Sequence, residues 1–147
     1  MEQDFIKYIH EFFKRLIEVY GFQVRSDLKE RETYMIEYRS DNFVIKIEKY
    51  FREFYVTLYK PNEPDKEINL FNLLEYLRQG DSQVPKSEYF RSEKDIEECY
   101  KKQLNHISGV IYENYNLIDI FFNDNELKMV EFEKYWKNKH PELYKKA

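Results

Sequence analysis

His10, His106, His140 and the single Cys99 are the side chains of this 147-residue chain best suited to ligate a transition metal or to carry nucleophilic and acid–base chemistry. Ligation needs donors that converge, and the sequence holds neither a His-x-x-x-His nor a Cys-x-x-Cys pair. It therefore predicts no metal centre and no cofactor. Cys99 has no cation directly beside it to depress its thiol pKa, Lys102 being the nearest, and reads as a buried, inert thiol. His106 lies beside an apolar helical stripe and reads as a partly buried structural histidine. A nucleophile elbow needs Gly-x-Ser-x-Gly and a phosphate cradle needs a Gly-rich loop opening a helix, but only Gly21, Gly80 and Gly109 are present. Carboxylates are plentiful, 28 acids among 24 bases, yet no spacing sets two of them apart for acid and base roles. The expected protein is not an enzyme.

Binding is the remaining chemistry. The formal net charge of −4 weakly repels phosphates and anionic membranes, which excludes a general nucleic-acid binder. Charge is uneven along the chain: residues 93–133 carry 4 bases and 10 acids, whereas residues 134–147 carry 5 bases and 1 acid. Helix-dipole preference accounts for Glu93, Asp95, Glu97 and Glu98 at the start of a helix, and for the basic end of the last one. It accounts less well for Glu113, Asp119, Asp124, Glu126, Glu131 and Glu133. Those acids read either as a solvated helix face or as a surface that meets a basic partner such as a nuclease domain. The 14 Tyr, 12 Phe and 1 Trp supply a large aromatic core and candidate interface anchors, Tyr55 and Tyr59 among them. Bases interleaved with aromatics from Lys46 to Lys60 offer a single-stranded RNA surface as an alternative, interrupted by Glu48 and Glu53.

These residues must be positioned by recognisable elements. Phe5, Ile9, Phe12, Phe13, Leu16, Ile17 and Tyr20 recur at helical spacing, with Asp4 as N-cap and Gly21 as the stop. Period two then takes over in four candidate strands: Phe22 and Val24; Tyr34, Ile36 and Tyr38; Phe43, Ile45 and Ile47; Phe54, Val56 and Leu58. Ser40-Asp41-Asn42 suits a tight hairpin. Glu48 to Glu53 is a less obvious turn, because Tyr50 and Phe51 sit inside it. Lys60-Pro61-Asn62-Glu63-Pro64-Asp65 closes the sheet, since two prolines cannot continue a ladder. A short helix follows through Leu70, Leu73, Leu74 and Leu77 to Gly80, then a long loop over 81–92. A long helix opened by Ser92 and Asp95 runs from Ile96 to Phe121, with breaks available at Gly109 or Asn114-Tyr115-Asn116. A last helix through Leu127, Val130, Tyr135 and Trp136 ends before Pro141, leaving a frayed basic tail at 137–147.

The predicted class is α+β, one domain over 1–147: an N-terminal helix, a four-stranded, mostly antiparallel sheet, then three helices packed on one face. Glu37, Arg39, Lys46, Glu48, Tyr55, Thr57 and Tyr59, out of phase with the core set, then form an open, mixed-charge face with exposed tyrosines. Lone Cys99 fits a reducing compartment, the acidic start is no secretory signal, and no run of about 18 apolar residues is present. The expected location is cytoplasmic, without a membrane.

The stretch from Ile45 to Leu58, the segment Leu70–Gly80 ending Tyr76-Leu77-Arg78-Gln79-Gly80-Asp81, and the long helix with Lys102-Gln103-Leu104 together resemble the strand, helix, helix layout of immunity proteins that accompany bacterial polymorphic toxins. The resemblance spans about two thirds of the chain in layout and texture and carries over no binding residue. It implies a non-enzymatic inhibitor that binds one cognate toxin domain in the cytosol of the producing cell. The sheet-face candidates for that contact are Tyr55, Tyr59, Glu37 and Glu48; the helical ones are Glu113, Asp119, Asp124, Glu126 and Glu131. A housekeeping or phage-derived interaction protein is the alternative.

Overall fold

The computed structural model describes residues 4–30, 33–123 and 126–141. Helix α1 (Asp4–Glu18) buries Phe5, Ile9, Phe13 and Leu16 and turns Lys7, Glu11, Lys14 and Glu18 to solvent, as its period demands. The side chain of Asp4, the predicted cap, lies outside the described side chains. Gly21 ends the helical turn with φ 74°, and the Phe22 N–H returns to the Leu16 carbonyl at 2.9 Å.

A meander follows: β1 (Gln23–Glu30), β2 (Thr33–Arg39), β3 (Val44–Tyr50), β4 (Glu53–Tyr59) and β5 (Ile68–Asn69), each antiparallel to the one before. The first four match the alternating segments. The fifth was not expected, because two residues are too few to show a period; after the Pro-containing loop the chain folds back and pairs Ile68 with Leu58 and Asn69 with Thr57. Ile36, Tyr38, Ile45, Ile47, Phe54, Val56 and Leu58 all point to one buried face. Aromatic rings knit that face to α1, Phe5 onto Tyr34 at 5.1 Å and Phe13 onto Tyr38 at 5.9 Å.

Asn69 caps α2 (Leu70–Leu77) by accepting from the N–H groups of Phe71 and Asn72. The long helical segment is two helices. Helix α3 (Ile96–Glu113) is capped by Asp95, which accepts from Glu97 and Glu98, so Ser92 and Glu93 precede the helix instead of opening it. Asn114, buried, ends α3 by turning its side-chain amide back onto the Val110 carbonyl at 2.8 Å; α4 (Tyr115–Asn123) restarts beyond it. Helix α5 (Glu126–Lys139) is last, and residues 142–147 of the predicted basic tail lie outside the described residues. The architecture is α+β, with four helices after the sheet among the described residues. None of the described helices is long and apolar enough to cross a membrane.

Candidate functional site

The turn between β3 and β4 is where sequence and structure disagree most. Tyr50 pairs with Glu53, so Phe51 and Arg52 alone make the connection. Two-residue hairpins that twist with their strands need positive φ at the first central position and favour glycine there. Phe51 occupies it at φ 54°, a conformation costing a bulky residue about 1–3 kcal/mol. Its ring is 57 % exposed and packs edge-on against Tyr50, itself 48 % exposed.

The surrounding structure holds this tip from behind. Because β5 covers only Thr57 and Leu58, the first half of β4 has no strand on its outer edge. Gln103, fully enclosed in α3, takes that place: its Nε2 donates to the Arg52 carbonyl at 2.7 Å and its Oε1 accepts from the Phe54 N–H at 3.0 Å. Segment 89–93 lies against the same edge. Arg52 donates to the Glu93 carbonyl at 2.6 Å, Arg91 binds the Glu53 carboxylate, and Tyr89 packs on Tyr55 with ring centroids 5.5 Å apart. Phe90, at φ 51°, shares the left-handed conformation of Phe51, and its carbonyl and that of Tyr89 accept from the Cys99 thiol. Cys99 is thus the buried structural thiol expected, and half-buried His106 is likewise structural, donating from Nε2 to the Lys86 carbonyl at 2.7 Å and stacking on Phe71.

Arg91, and then the Tyr55 hydroxyl, hold the Glu53 carboxyl below its ordinary value. Hydrogen bonding to Glu53, followed by burial, pushes the Tyr55 phenol up to about 12. Tyr50, Phe51, Tyr55, Tyr89, Arg52 and Arg91 therefore form one surface rich in the residue types that dominate binding hot spots. It presents aromatic faces and guanidinium groups.

The sheet-face candidates meet a different fate. Tyr59 was expected to be exposed, yet it is only 4 % exposed, and its hydroxyl donates to Glu37. Burial, and then that hydrogen bond, raises its phenol to about 12. Alternation assigns Tyr59 to the open face correctly but cannot show what surrounds it: its partner Val44, also buried, and the Glu37 carboxylate that Arg25 approaches at 3.9 Å. Glu48 sits 3.4 Å from Lys46, which also binds Glu67 from beyond β4. Glu37, Lys46 and Glu48 of the open face are thus engaged in internal ion pairs.

The acidic helices are not gathered into that surface. Asp119 accepts from the Asn42 amide at 2.7 Å and ties the β2–β3 turn to α4. Glu113 is exposed at the end of α3, and Glu131 on α5 faces the Tyr76 hydroxyl at 3.5 Å. Asp124 and the side chain of Glu126 lie outside what is described. A cleft of about 730 Å³ between α2, residues 78–87 and α5 contains two ion pairs, Arg78 on Asp81 and Lys139 on Glu75, and is also lined by Lys86. Among the described residues, no group of three or more His, Cys, Asp or Glu side chains is placed to hold a metal ion. Of the hairpin-tip residues, the sequence marks Tyr55 alone as an anchor; Tyr50 and Phe51 show in it only as an aromatic pair standing where turn formers belong.

No family model, curated protein or solved structure matches this chain.

Proposed function

We propose that this chain is a non-enzymatic protein-binding module whose anchor is the Tyr50–Phe51 tip, and that it acts in the cytosol as an inhibitor of a cognate bacterial toxin domain. One observation carries the binding reading: an exposed Phe51 in a left-handed backbone stands at the tip of a turn whose Arg52 carbonyl and Phe54 N–H are bonded by a buried glutamine. Glycine would make the same turn without strain, so the ring is not there for the turn's sake. An aromatic side chain has few rotatable bonds and loses little entropy on docking, which is what makes such residues dominate interfaces. The toxin assignment draws on the resemblance to immunity proteins in the layout of residues 45–104.

Single-stranded RNA is the second reading, favoured by Arg52 beside two exposed rings. The cations nearby are largely engaged already, Lys49 over the rings of Phe5 and Tyr100 and Arg91 on Glu53, which favours a protein partner. The test is affinity capture from the native strain at moderate salt, with and without nuclease, using the wild type and Phe51→Gly. The expected result is one stoichiometric protein that survives nuclease and is lost with Phe51→Gly. That protein, expressed alone, should arrest growth, and the wild-type chain but not the variant should relieve the arrest. Recovery of RNA alone, or of a partner indifferent to Phe51, would overturn the reading.

A further inference from the structure

The end of α5 is fastened to α2 by an imidazole, a carboxylate and an ammonium. His140 directly follows α5 and extends its ladder, the N–H donating to the Trp136 carbonyl at 2.8 Å. A spacing of four lays the imidazole on the indole, ring centroids 4.1 Å apart, and Trp136 stacks in turn on buried Phe132 at 6.2 Å. So held, the imidazole brings Nε2 to 3.5 Å from Oε2 of Glu75 on α2. Both atoms are closed off from solvent, and no hydrogen bond joins them. Lys139 approaches the other oxygen of Glu75 at 3.4 Å, so three ionisable groups meet between the two helices.

We propose that His140 is a pH-dependent staple, which closes on Glu75 when it is protonated and slackens when it is neutral. A neutral imidazole turns towards the carboxylate either a lone pair, which is repelled, or an uncharged N–H; an imidazolium turns a charged N–H, the stronger partner. Protonation also puts a cation at the C-terminal end of a helix, where the dipole favours it. The charged neighbours divide by element. On α5, Lys137 and Lys139 oppose a second positive charge, and Lys139 shares the carboxylate that attracts it. On α2, Arg78 is engaged by Asp81, which leaves Glu75 as the acid in contact. Asp65, Lys66, Glu67 and Glu133 line the cleft beside Trp136, with Glu67 bound by Lys46 and Lys66 by Glu63. Tyr135 and Lys139 wall the cleft of about 730 Å³ opposite α2, so the staple joins the two sides of that cleft and pH sets how firmly they are held. This inference is independent of the hairpin tip.

The test compares the wild type with Glu75→Gln and His140→Gln between about pH 8 and about pH 5, the span in which an ordinary histidine changes charge. His10 and His106 are present in all three proteins, so their own pH dependence cancels. Amide hydrogen exchange, read as protection factors, should show the last turn of α5 about three- to tenfold better protected at the acidic end in the wild type, and equally protected at both ends in either variant. Trp136 is the only tryptophan, so its emission reports on the ring laid against it; it should change with pH in the wild type and lose that change in His140→Gln. Either substitution suffices if the other does not fold. A wild type whose α5 protection does not rise on acidification, or a folded variant that keeps the full rise, would overturn the proposal. Emission that follows pH equally in the wild type and in His140→Gln would do the same.

Discussion

The two hairpin turns that flank β3 solve the same geometric problem in opposite ways. The β2–β3 turn is written in its own sequence: Ser40 accepts from Asn42 and Phe43 through Oγ and donates to the Phe43 carbonyl at 2.9 Å, so its backbone is satisfied locally. The β3–β4 turn carries Phe51 and Arg52, which offer no such help, and is satisfied instead by Gln103 from α3, some fifty positions away in sequence. Where local chemistry and fold agree, the turn needs no reason beyond folding. Where they conflict and the conflict is held in place by a buried polar clamp, the conflict itself is what calls for a function.

The sharpest way to break this contrast is to remove the clamp. Gln103→Leu keeps the volume but strands the Arg52 carbonyl and the Phe54 N–H, and should cost about 2–4 kcal/mol in urea unfolding while also abolishing partner capture. Next in size is Phe51→Gly, which should weaken binding by about 2 kcal/mol or more while stability holds or rises by up to about 1 kcal/mol, because strain relief opposes the added backbone entropy. Stability falling in step with binding would show the ring to be structural. The β2–β3 turn supplies the control: Asn42→Ala removes the Asn42–Asp119 tie and should cost about 1 kcal/mol with no effect on capture.

The same contrast explains what was legible in the sequence. Alternation gave the phase of Ile36, Tyr38, Ile45, Ile47, Phe54, Val56 and Leu58, since period two is a local property of a half-buried strand. Turn chemistry gave Ser40–Asn42 for the same reason. Tertiary facts leave no such trace: the two-residue β5, the Gln103 clamp, the Asn42–Asp119 tie and the burial of Tyr59 each depend on a partner distant in sequence. Asp119 and Glu37 were grouped as acids available to a partner because composition counts charges without showing which are already bonded. Of the candidate site, Tyr55 is visible and Tyr50–Phe51 are visible as a misfit, but the glutamine that bonds the turn's backbone lies in α3.

The smallest effect separates the tip from the sheet face by pH. Tyr55 and Tyr59 both donate to carboxylates, and both phenols are raised to about 12 from an ordinary value of 10.0, Tyr55 chiefly by its hydrogen bond to Glu53 and Tyr59 chiefly by burial. Between those values the unfolded chain releases protons that the folded chain keeps, so their contribution is intact below pH 10 and is lost as pH rises through about 12. Glu53 works in the other direction: its lowered carboxyl supplies stability above its ordinary value of 4.5, lost as pH falls through the depressed one. Ultraviolet titration of phenolate absorbance in folded protein should therefore show a late-ionising class that shrinks in Tyr59→Phe and in Tyr55→Phe. Only Tyr55→Phe should also disturb capture, since its hydroxyl holds the Glu53 carboxylate that anchors Arg91 beside the tip; equal effects from the two variants would mean that the sheet face and the hairpin tip act as one surface.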